Sequence, residues 1–369
     1  MKKILLTLIF LITQVIMAQE FKQNTDFNKI LEQKIIESKI PGLAAALIYQ
    51  DTIYYGVAGT ISNKSKKTIE KNTLFHIGSN TKAFTSFLAF QEIEKGNLNL
   101  DTKFFDVFPN LKNNDNKIYH EITLGDLLAH QAQVQSFTSG FQMQLIQITK
   151  DNPTEKRIEF AEQLLKMPTT EKRTYSNAGY VLASMMIEKT ANQPFEDVLT
   201  SYLKSNNWDY SFGFPNKKDI DNAWGHWTEN NKFIALPPTH DYNLPDFMLA
   251  AGDLSMNIED YSTWLYQHIQ GLQNEKANHQ IGPYQQMHYQ FPNMSYGWGN
   301  AKQNGQNLSF HDGSTGTFYT HAILNPEQQI GITIFANAAE EKHVTAIYEL
   351  QQELLLQIKK IVDGYNRKP

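Results

Sequence analysis

The chain has 369 residues, 41% of them apolar and 12% aromatic, and its net charge at pH 7 is −5. This is enough apolar material for one large domain, while a nucleic-acid-binding protein would show a clustered basic face that the three arginines, Arg157, Arg173 and Arg367, do not form. Nucleic acid is therefore not expected as a partner. The sequence has no cysteine, which excludes disulfides, thiolate metal sites and cysteine nucleophiles.

Residues 1–18 have the pattern of a signal peptide. Two lysines precede an apolar run from Ile4 to Ile12, and Ala18 is a small residue at which a peptidase can cut. The run is shorter than the roughly 20 residues that a membrane-spanning helix needs. We therefore expect a protein exported to the periplasm or the medium, comprising residues 19–369 and without a stable membrane anchor after cleavage.

Hydrophobic periodicity in the first hundred residues predicts a helix, a hairpin and a second helix. Helical spacing covers residues 27–38, and the apolar runs at residues 43–49 and 52–57 are typical of a β-hairpin. Helical spacing returns at residues 82–95, and Gly96 follows as a stop signal.

The central part of the chain is predicted to be mostly helix and loop. Helices are expected at residues 124–130, 158–166, 178–190 and 257–269. Beyond residue 305 the period changes to two. Strands are expected at residues 308–310, 317–324 and 330–336, followed by a last helix at residues 343–362.

This order predicts an α+β fold in which both chain ends contribute to one antiparallel sheet, flanked by the terminal helices. A large, mostly helical insert separates the two parts of the sheet. The sheet subdomain is expected at about residues 27–75 and 305–362, and the helical subdomain at about residues 79–300. A cleft between the two is the expected place for a site.

The segment Ser79-Asn80-Thr81-Lys82 stands where a loop enters the second predicted helix. Residues three apart share a helix face, so the Lys82 amine is expected beside the Ser79 hydroxyl. A serine needs an adjacent base to act as a nucleophile, and a lysine serves when burial or positive charge lowers its pKa. The spacing alone is a weak signal, because Ser201 and Lys204 match it as well.

Tyr175-Ser176-Asn177 is the only Tyr-x-Asn in the chain. A phenol near two cations can titrate low enough to relay a proton to a leaving group, and the Asn177 amide is suited to a substrate carbonyl. The alternative is a plain turn in which Asn177 caps a helix that begins at Ala178.

His311-Asp312-Gly313-Ser314 lies at the edge of the first late strand. Gly313 permits close approach between a ligand and the backbone, and the Ser314 N–H is a donor suited to an oxyanion. The alternative is a polar strand end with a turn glycine.

In this order the three segments resemble the motifs of serine β-lactamases and penicillin-binding peptidases, whose first motif is Ser-x-x-Lys. The Tyr-x-Asn form is similar to the class C β-lactamase and D-alanyl-D-alanine carboxypeptidase branch, which also contains esterases and D-aminopeptidases. The resemblance runs from about Phe27 to Ala336. It also includes residues 75–79, 96–101, 122–130, 251–254 and 296–299.

The resemblance implies acyl transfer through a covalent Ser79 ester, with Lys82 and Tyr175 handling the proton and either one as the formal base. The N–H groups of Ser79 and Ser314 would bind the oxyanion. The residues expected to bind the substrate, a small molecule or a peptide, are Asn177, His311, Gly313 and Ser314. Neither a metal nor another cofactor is expected, since the histidines do not form a metal-binding spacing, and the oligomeric state is left open.

Two departures from the family pattern bear on the substrate. Gln131-Ala132-Gln133 stands where the family has Thr-Ser-Gly, and His311 stands where β-lactamases have lysine. A largely neutral imidazole holds a carboxylate less well than a lysine does, which favours an esterase or D-peptidase over a true β-lactamase. The rival hypothesis is a non-catalytic protein that binds or senses a cell-wall peptide or β-lactam.

Overall fold

The computed structural model describes residues 20–112, 116–279 and 281–365, with side chains described as far as residue 361. The predicted signal peptide lies outside the described residues. The strands are β1 (Glu20–Gln23), β2 (Gly42–Tyr49), β3 (Thr52–Gly59), β4 (Phe75–His76), β5 (Tyr210–Phe212), β6 (His226–Glu229), β7 (Lys232–Ala235), β8 (Leu254–Met256), β9 (Gly299–Gln303), β10 (Gln306–Ser314), β11 (Tyr319–Asn325) and β12 (Ile330–Ala336).

Helices occupy most of the remaining described chain. They are α1 (Thr25–Ser38), α2 (Thr81–Glu94), α3 (Phe104–Val107), α4 (Leu124–Leu128), α5 (Gly140–Met143), α6 (Pro153–Leu164), α7 (Asn177–Ala191), α8 (Phe195–Ser205), α9 (Pro215–Lys218), α10 (Leu249–Gly252), α11 (Ile258–Ala277), α12 (Pro283–Tyr289) and α13 (Glu341–Tyr365).

The main sheet has seven strands in the order β1-β3-β2-β12-β11-β10-β9. Strands from both chain ends meet where β2 pairs with β12, and the predicted hairpin of β2 and β3 is present. The predicted α+β fold is therefore confirmed. The sheet is not wholly antiparallel, because the edge strand β1 runs parallel to β3.

Strand β2 shows why the sheet holds the molecule together. Leu43, Ala45 and Leu47 pack in a cluster with residues of α1 and α13, while Ala44 and Ala46 belong to the large core shared with the central helices. Successive side chains of a strand point to opposite faces, so a strand that is covered on both faces is apolar throughout.

Some elements differ from their sequence predictions for local reasons. Helix α6 begins five residues early because Pro153 occupies its first turn and the Asn152 side chain accepts a hydrogen bond from the Glu155 N–H. The hairpin of β6 and β7 was not predicted. Its turn consists of Asn230 and Asn231, both with positive φ, and asparagine tolerates this geometry better than most residues.

A small sheet in the order β4-β8-β5 connects the helical region to the main sheet. Strand β4 leads directly to Ser79, and β8 directly follows α10. The pairing of β4 with β8 therefore brings the Ser79 segment close to α10. Within the described residues, we find no helix of the length and apolarity required to span a membrane.

Candidate active site

Ser79 lies in a single 3₁₀ turn between β4 and α2. Gly78 before it adopts φ 52°, and a Cβ there would lie 2.6 Å from the Ser314 nitrogen, so both the backbone conformation and the space require glycine. The Gly78 N–H donates to His76 Nδ1 at 3.0 Å, and His76 Nε2 lies 2.9 Å from Asp253 Oδ1. The His76–Asp253 pair therefore fixes the turn that presents the Ser79 hydroxyl.

Lys82 lies one turn into the same helical segment and is fully buried. Its Nζ lies 3.1 Å from Ser79 Oγ, as the three-residue spacing predicts, and 2.7 Å from Asn177 Oδ1. The third contact of Nζ is with the Ala251 carbonyl oxygen at the end of α10. Elements that are far apart in sequence thus converge on one amine.

The surroundings of Lys82 disfavour a positive charge. Its hydrogen-bond partners are a hydroxyl, a side-chain amide and a backbone carbonyl, all of them neutral. Burial without a carboxylate partner lowers the pKa of Lys82 well below its usual value. The amine is thereby prepared to accept a proton.

Tyr175 lies against both members of this pair. Lys82 Nζ is 4.8 Å from the centroid of the Tyr175 ring, and the Tyr175 hydroxyl shares a hydrogen bond with the Ser79 side chain. Burial raises the pKa of Tyr175 above its usual value, and the bond with Ser79 offsets only part of that rise. The side chain is therefore a neutral phenol, and not the easily ionised group that two nearby cations would produce.

Asn177 is the first residue of α7, and the cap of that helix is the preceding serine. The Ser176 side chain accepts the Gly179 N–H at 3.0 Å, so the alternative in which Asn177 serves as the N-cap is wrong. The Asn177 amide donates to the Phe137 carbonyl at 2.9 Å, which leaves its oxygen facing Lys82.

The end of β10 forms the opposite wall. A Cβ on Gly313 would lie 1.9 Å from the Ile77 carbonyl oxygen, so only glycine allows the strand to lie this close to the turn before Ser79. Ser314 follows at the wall of the cleft. Its backbone nitrogen adjoins the Ser79 turn, which is where the oxyanion donors were expected.

His311 is not among the residues that line the cleft. The imidazole is buried, and its Nδ1–H donates to the Asp312 carbonyl at 2.8 Å. Burial, assisted by the nearby Lys82, lowers the pKa of His311 to about 4. His311 is thus uncharged at neutral pH and offers no cation to a substrate carboxylate.

The second Ser-x-x-Lys match is a surface feature. Ser201 and Lys204 are both exposed on α8, and neither lines the cleft that contains Ser79. The structure therefore separates the two matches by burial, which spacing alone does not do.

The cleft above Ser79 has a volume of about 620 Å³ and lies between the sheet and the helical region. Its walls include apolar residues and small polar residues, but among the described residues that line it none carries a charge. The apolar residues include Phe137, Met143, Leu244, Pro245 and Met248, and the polar ones include Thr138, Ser139, Asn243 and Thr315.

Two contributors to the site were not assigned a role from the sequence. The Ala251 carbonyl binds Lys82, and His130 accepts the Ser176 N–H on Nδ1 while its ring lies 4.3 Å from that of Tyr175. Both residues lie in stretches that resemble the family. A main-chain acceptor has no side-chain signature, however, so only the fold shows the role of Ala251.

The altered loop after His130 follows a tight path. Gln133 stands where the family has glycine and adopts φ 57°, in the left-handed region that is unfavourable for a residue with a side chain. His130 itself has φ 57°. The loop of Gln131, Ala132 and Gln133 therefore turns sharply although it has a side chain where the family has glycine.

A sequence model of the β-lactamase family matches residues 27–355, which is most of the chain. The chain belongs to the β-lactamase family. Its fold is that of the family's serine hydrolases, and the Ser79, Tyr175 and His311 segments all lie within the matched range.

Relatives and solved structures agree with this placement. The β-lactamase of Escherichia coli K12 is 25% identical over 354 residues, covering 85% of this chain and 88% of that protein. Protein flp of Staphylococcus aureus N315 is 26% identical over 327 residues, covering 85% of this chain but only 63% of its own length. A β-lactamase/D-alanine carboxypeptidase from Pseudomonas syringae has the same fold, with a TM-score of 0.67 at 17% identity over 89% of this chain and 99% of that one.

Proposed function

We propose that this member of the β-lactamase family is a hydrolase that transfers an acyl group to Ser79 and then to water. The observation that carries the proposal is the Lys82 amine, which lies 3.1 Å from Ser79 Oγ in a buried site without a carboxylate partner. A serine becomes nucleophilic when such a base takes its proton. The rest of the site is arranged around this pair.

Lys82 is favoured over Tyr175 as the base. A neutral amine has two N–H donors and one lone pair; Asn177 Oδ1 and the Ala251 carbonyl take the two donors, and the lone pair is left for the Ser79 O–H. Tyr175 has a raised pKa and holds its own proton, so it is suited to donate to a leaving atom and not to begin the reaction.

The proposed reaction has two steps, acylation of Ser79 and hydrolysis of the ester. Ser79 Oγ bonds to the acyl carbon as its proton passes to Lys82, and the bond to the leaving atom breaks as Tyr175 protonates that atom and is reprotonated by Lys82. Water next attacks the ester, Lys82 takes its proton, and Ser79 recovers a proton as the acid departs. The backbone N–H groups of Ser79 and Ser314 stabilise the negative oxygen in both steps.

The uncharged cleft favours a substrate whose acyl part is neutral. The residues that line the cleft with Ser79 are apolar or carry hydroxyl or amide groups, and His311 supplies no charge. A buried carboxylate needs a paired cation. An ester or peptide with an uncharged acyl part is accordingly preferred, and a β-lactam carboxylate finds no charge at His311. The structurally similar Pseudomonas syringae protein is a β-lactamase/D-alanine carboxypeptidase, which makes D-amino acid peptides the first amides to try. The signal-peptide pattern of residues 1–18 favours export.

The test is covalent labelling at one residue. Incubation with a fluorophosphonate, followed by peptide mass spectrometry, is expected to place a single adduct on Ser79. Ser79→Ala is expected to abolish both the adduct and turnover of a short-chain ester, whereas Ser201→Ala, the matched control at the exposed motif, leaves both unchanged. An adduct on Ser201, or full turnover by Ser79→Ala, would contradict the proposal.

The same purified protein distinguishes the rival hypotheses. A panel of neutral esters, D-amino acid peptides and a chromogenic cephalosporin ranks the substrate classes. Tight binding of one class without turnover of any of them would instead support the non-catalytic sensing protein. Faster turnover of the cephalosporin than of every ester would support the hypothesis that the protein is a true β-lactamase.

A further inference from the structure

A second pocket borders Tyr175 but does not include Ser79. Its volume is about 240 Å³, and its walls include His130, Gln131, Arg173 and Asn293. Complete small-molecule sites typically measure about 300–1,000 Å³, so this pocket fits one group of a larger substrate. None of the described residues that line it is acidic.

Arg173 is the charged residue of this pocket, and no described residue pairs with it. Its side chain is exposed and its backbone adopts φ 68°, an unfavourable conformation for a residue with a side chain. Arg157 is the opposite case, since it is buried and donates to both Glu188 and Glu196. In a chain with a net charge of −5, an arginine left without a carboxylate beside a pocket indicates a place for an anion from outside.

The neighbours of Arg173 in the pocket wall are further hydrogen-bond donors. Gln131 and Asn293 carry side-chain amides. His130 accepts the Ser176 N–H on Nδ1, which places its own proton on Nε2, and that buried nitrogen has no partner within the described residues. A guanidinium surrounded by neutral donors is the combination that recognises carboxylate and phosphate oxygens.

We infer that the pocket around Arg173 binds a carboxylate or phosphate group on the leaving part of the substrate. The inference rests on the proposed function, in which Tyr175 protonates the leaving atom. That atom must lie within hydrogen-bond reach of the Tyr175 hydroxyl, so the leaving group extends along the side that Tyr175 borders. The uncharged cleft then holds the acyl part, and the two pockets read opposite ends of one substrate.

Three esters with one acyl group test this assignment. They are phenyl butyrate, 3-carboxyphenyl butyrate and 3-(phosphonooxy)phenyl butyrate, so only the leaving group changes. Arg173→Gln is expected to lower kcat/KM for at least one anionic ester about tenfold, mainly through KM, which corresponds to roughly 1.4 kcal/mol. The neutral ester is expected to be unaffected, and whichever anionic ester responds identifies carboxylate or phosphate.

The neighbouring Lys172 provides the matched control, because it is also exposed but does not line the pocket. Lys172→Gln removes the same charge and is expected to have no effect, and Arg173→Lys is expected to be intermediate because it keeps charge but loses the planar fork. Equal losses in Lys172→Gln and Arg173→Gln, an equal loss on the neutral ester, or no loss at all would overturn the inference.

Calorimetry separates failure of the pocket from failure of the proposed reaction. The two anionic leaving groups, 3-hydroxybenzoate and 3-hydroxyphenyl phosphate, are titrated into the Ser79→Ala protein with and without Arg173→Gln. Binding that depends on Arg173 supports the pocket even if Ser79 proves not to be the nucleophile. Binding that is the same in both proteins, or absent from both, contradicts the inference without touching the role of Ser79.

Discussion

Lys34 and Lys82 are both buried lysines in helices, but their surroundings differ in one respect. Lys34 in α1 lies 2.8 Å from Glu353, 3.1 Å from Glu37 and 3.2 Å from Glu349. Burial opposes its charge, yet hydrogen bonds to these carboxylates outweigh burial and raise the pKa of Lys34 above its usual value. Lys82 is buried among neutral partners, and its pKa falls.

The difference shows that burial alone does not make a lysine structural or catalytic. A buried ammonium with carboxylate partners stays charged and ties elements together, here α1 to α13. A buried amine with only neutral partners becomes a base. Each lysine therefore serves as a control for substitutions of the other.

The largest effect is expected for Lys82→Met. Removing the base is expected to lower kcat/KM by about 10²–10⁴, and it also removes an amine whose pKa falls on folding. In the unfolded chain the pKa of Lys82 is about 10.4. Its lower pKa in the folded state therefore costs free energy of folding at neutral pH, and this cost disappears as the pH rises to about 10.4.

Activity and unfolding assays of Lys82→Met are read together. We expect a nearly inactive protein that is more stable than the parent at pH 7, with the stability gain shrinking toward pH 10. A variant that is inactive because it is less stable would mean that Lys82 is structural, as Lys34 is.

Tyr175→Phe tests whether the phenol acts with Lys82 as one proton-transfer unit. The single change is expected to cost about 10²–10³ in kcat/KM, and the double change with Lys82→Met little more than either alone, because groups that act together are not additive. Steady-state kinetics of all four proteins on one ester measure this. Losses that multiply would show two independent roles.

Asn177→Asp converts the neutral surroundings of Lys82 toward those of Lys34. A carboxylate within hydrogen-bond distance is expected to raise the pKa of Lys82 and keep it protonated, lowering kcat/KM at pH 7 by about 10–100-fold. Activity is expected to recover as the pH rises. Asn177→Ala is the control, since it removes the amide without adding charge and is expected to show no such recovery.

Lys34→Met is expected to have the smallest effect on catalysis and a measurable one on stability. It leaves three carboxylates without their cation, but these are 41–60% exposed, so the loss is limited to about 1–2 kcal/mol of unfolding free energy. The stabilisation by Lys34 persists through neutral pH and is lost only above the usual pKa of lysine, because its pKa is raised. Chemical denaturation and the ester assay check both statements; a change in kcat would contradict them.

The same two lysines show how far the sequence could predict the molecule. The spacing of Ser79 and Lys82 predicts their contact because it depends only on helix geometry, and the period-two strands near both ends predict the sheet. The partners Glu349 and Glu353 of Lys34 lie more than 300 residues away, and Ala251 contributes only a backbone oxygen to Lys82. No local pattern encodes such long-range contacts, so the two pKa shifts follow only from the fold.

The features that the sequence did not reveal are a short strand and the surroundings of individual residues. Strand β1 has four residues and pairs in parallel at the sheet edge, which leaves almost no periodic signal. Arg173 stands two residues before Tyr175, but its lack of a partner is a property of the assembled pocket. The neutral state of His311 follows from its burial, whereas the residue type alone predicts an imidazole that is only largely neutral.

The pKa of Lys82 is the central quantity, and the rate of Ser79 labelling by a fluorophosphonate between pH 5 and pH 10.5 measures it most directly. We expect the rate to rise with pH and to level off well below the usual lysine pKa of about 10.4, and we expect Asn177→Asp to move the midpoint of this rise upward. A labelling rate that keeps rising to about pH 10.4 in the unmodified protein, with no shift in Asn177→Asp, would show that Lys82 is an ordinary ammonium and not the base.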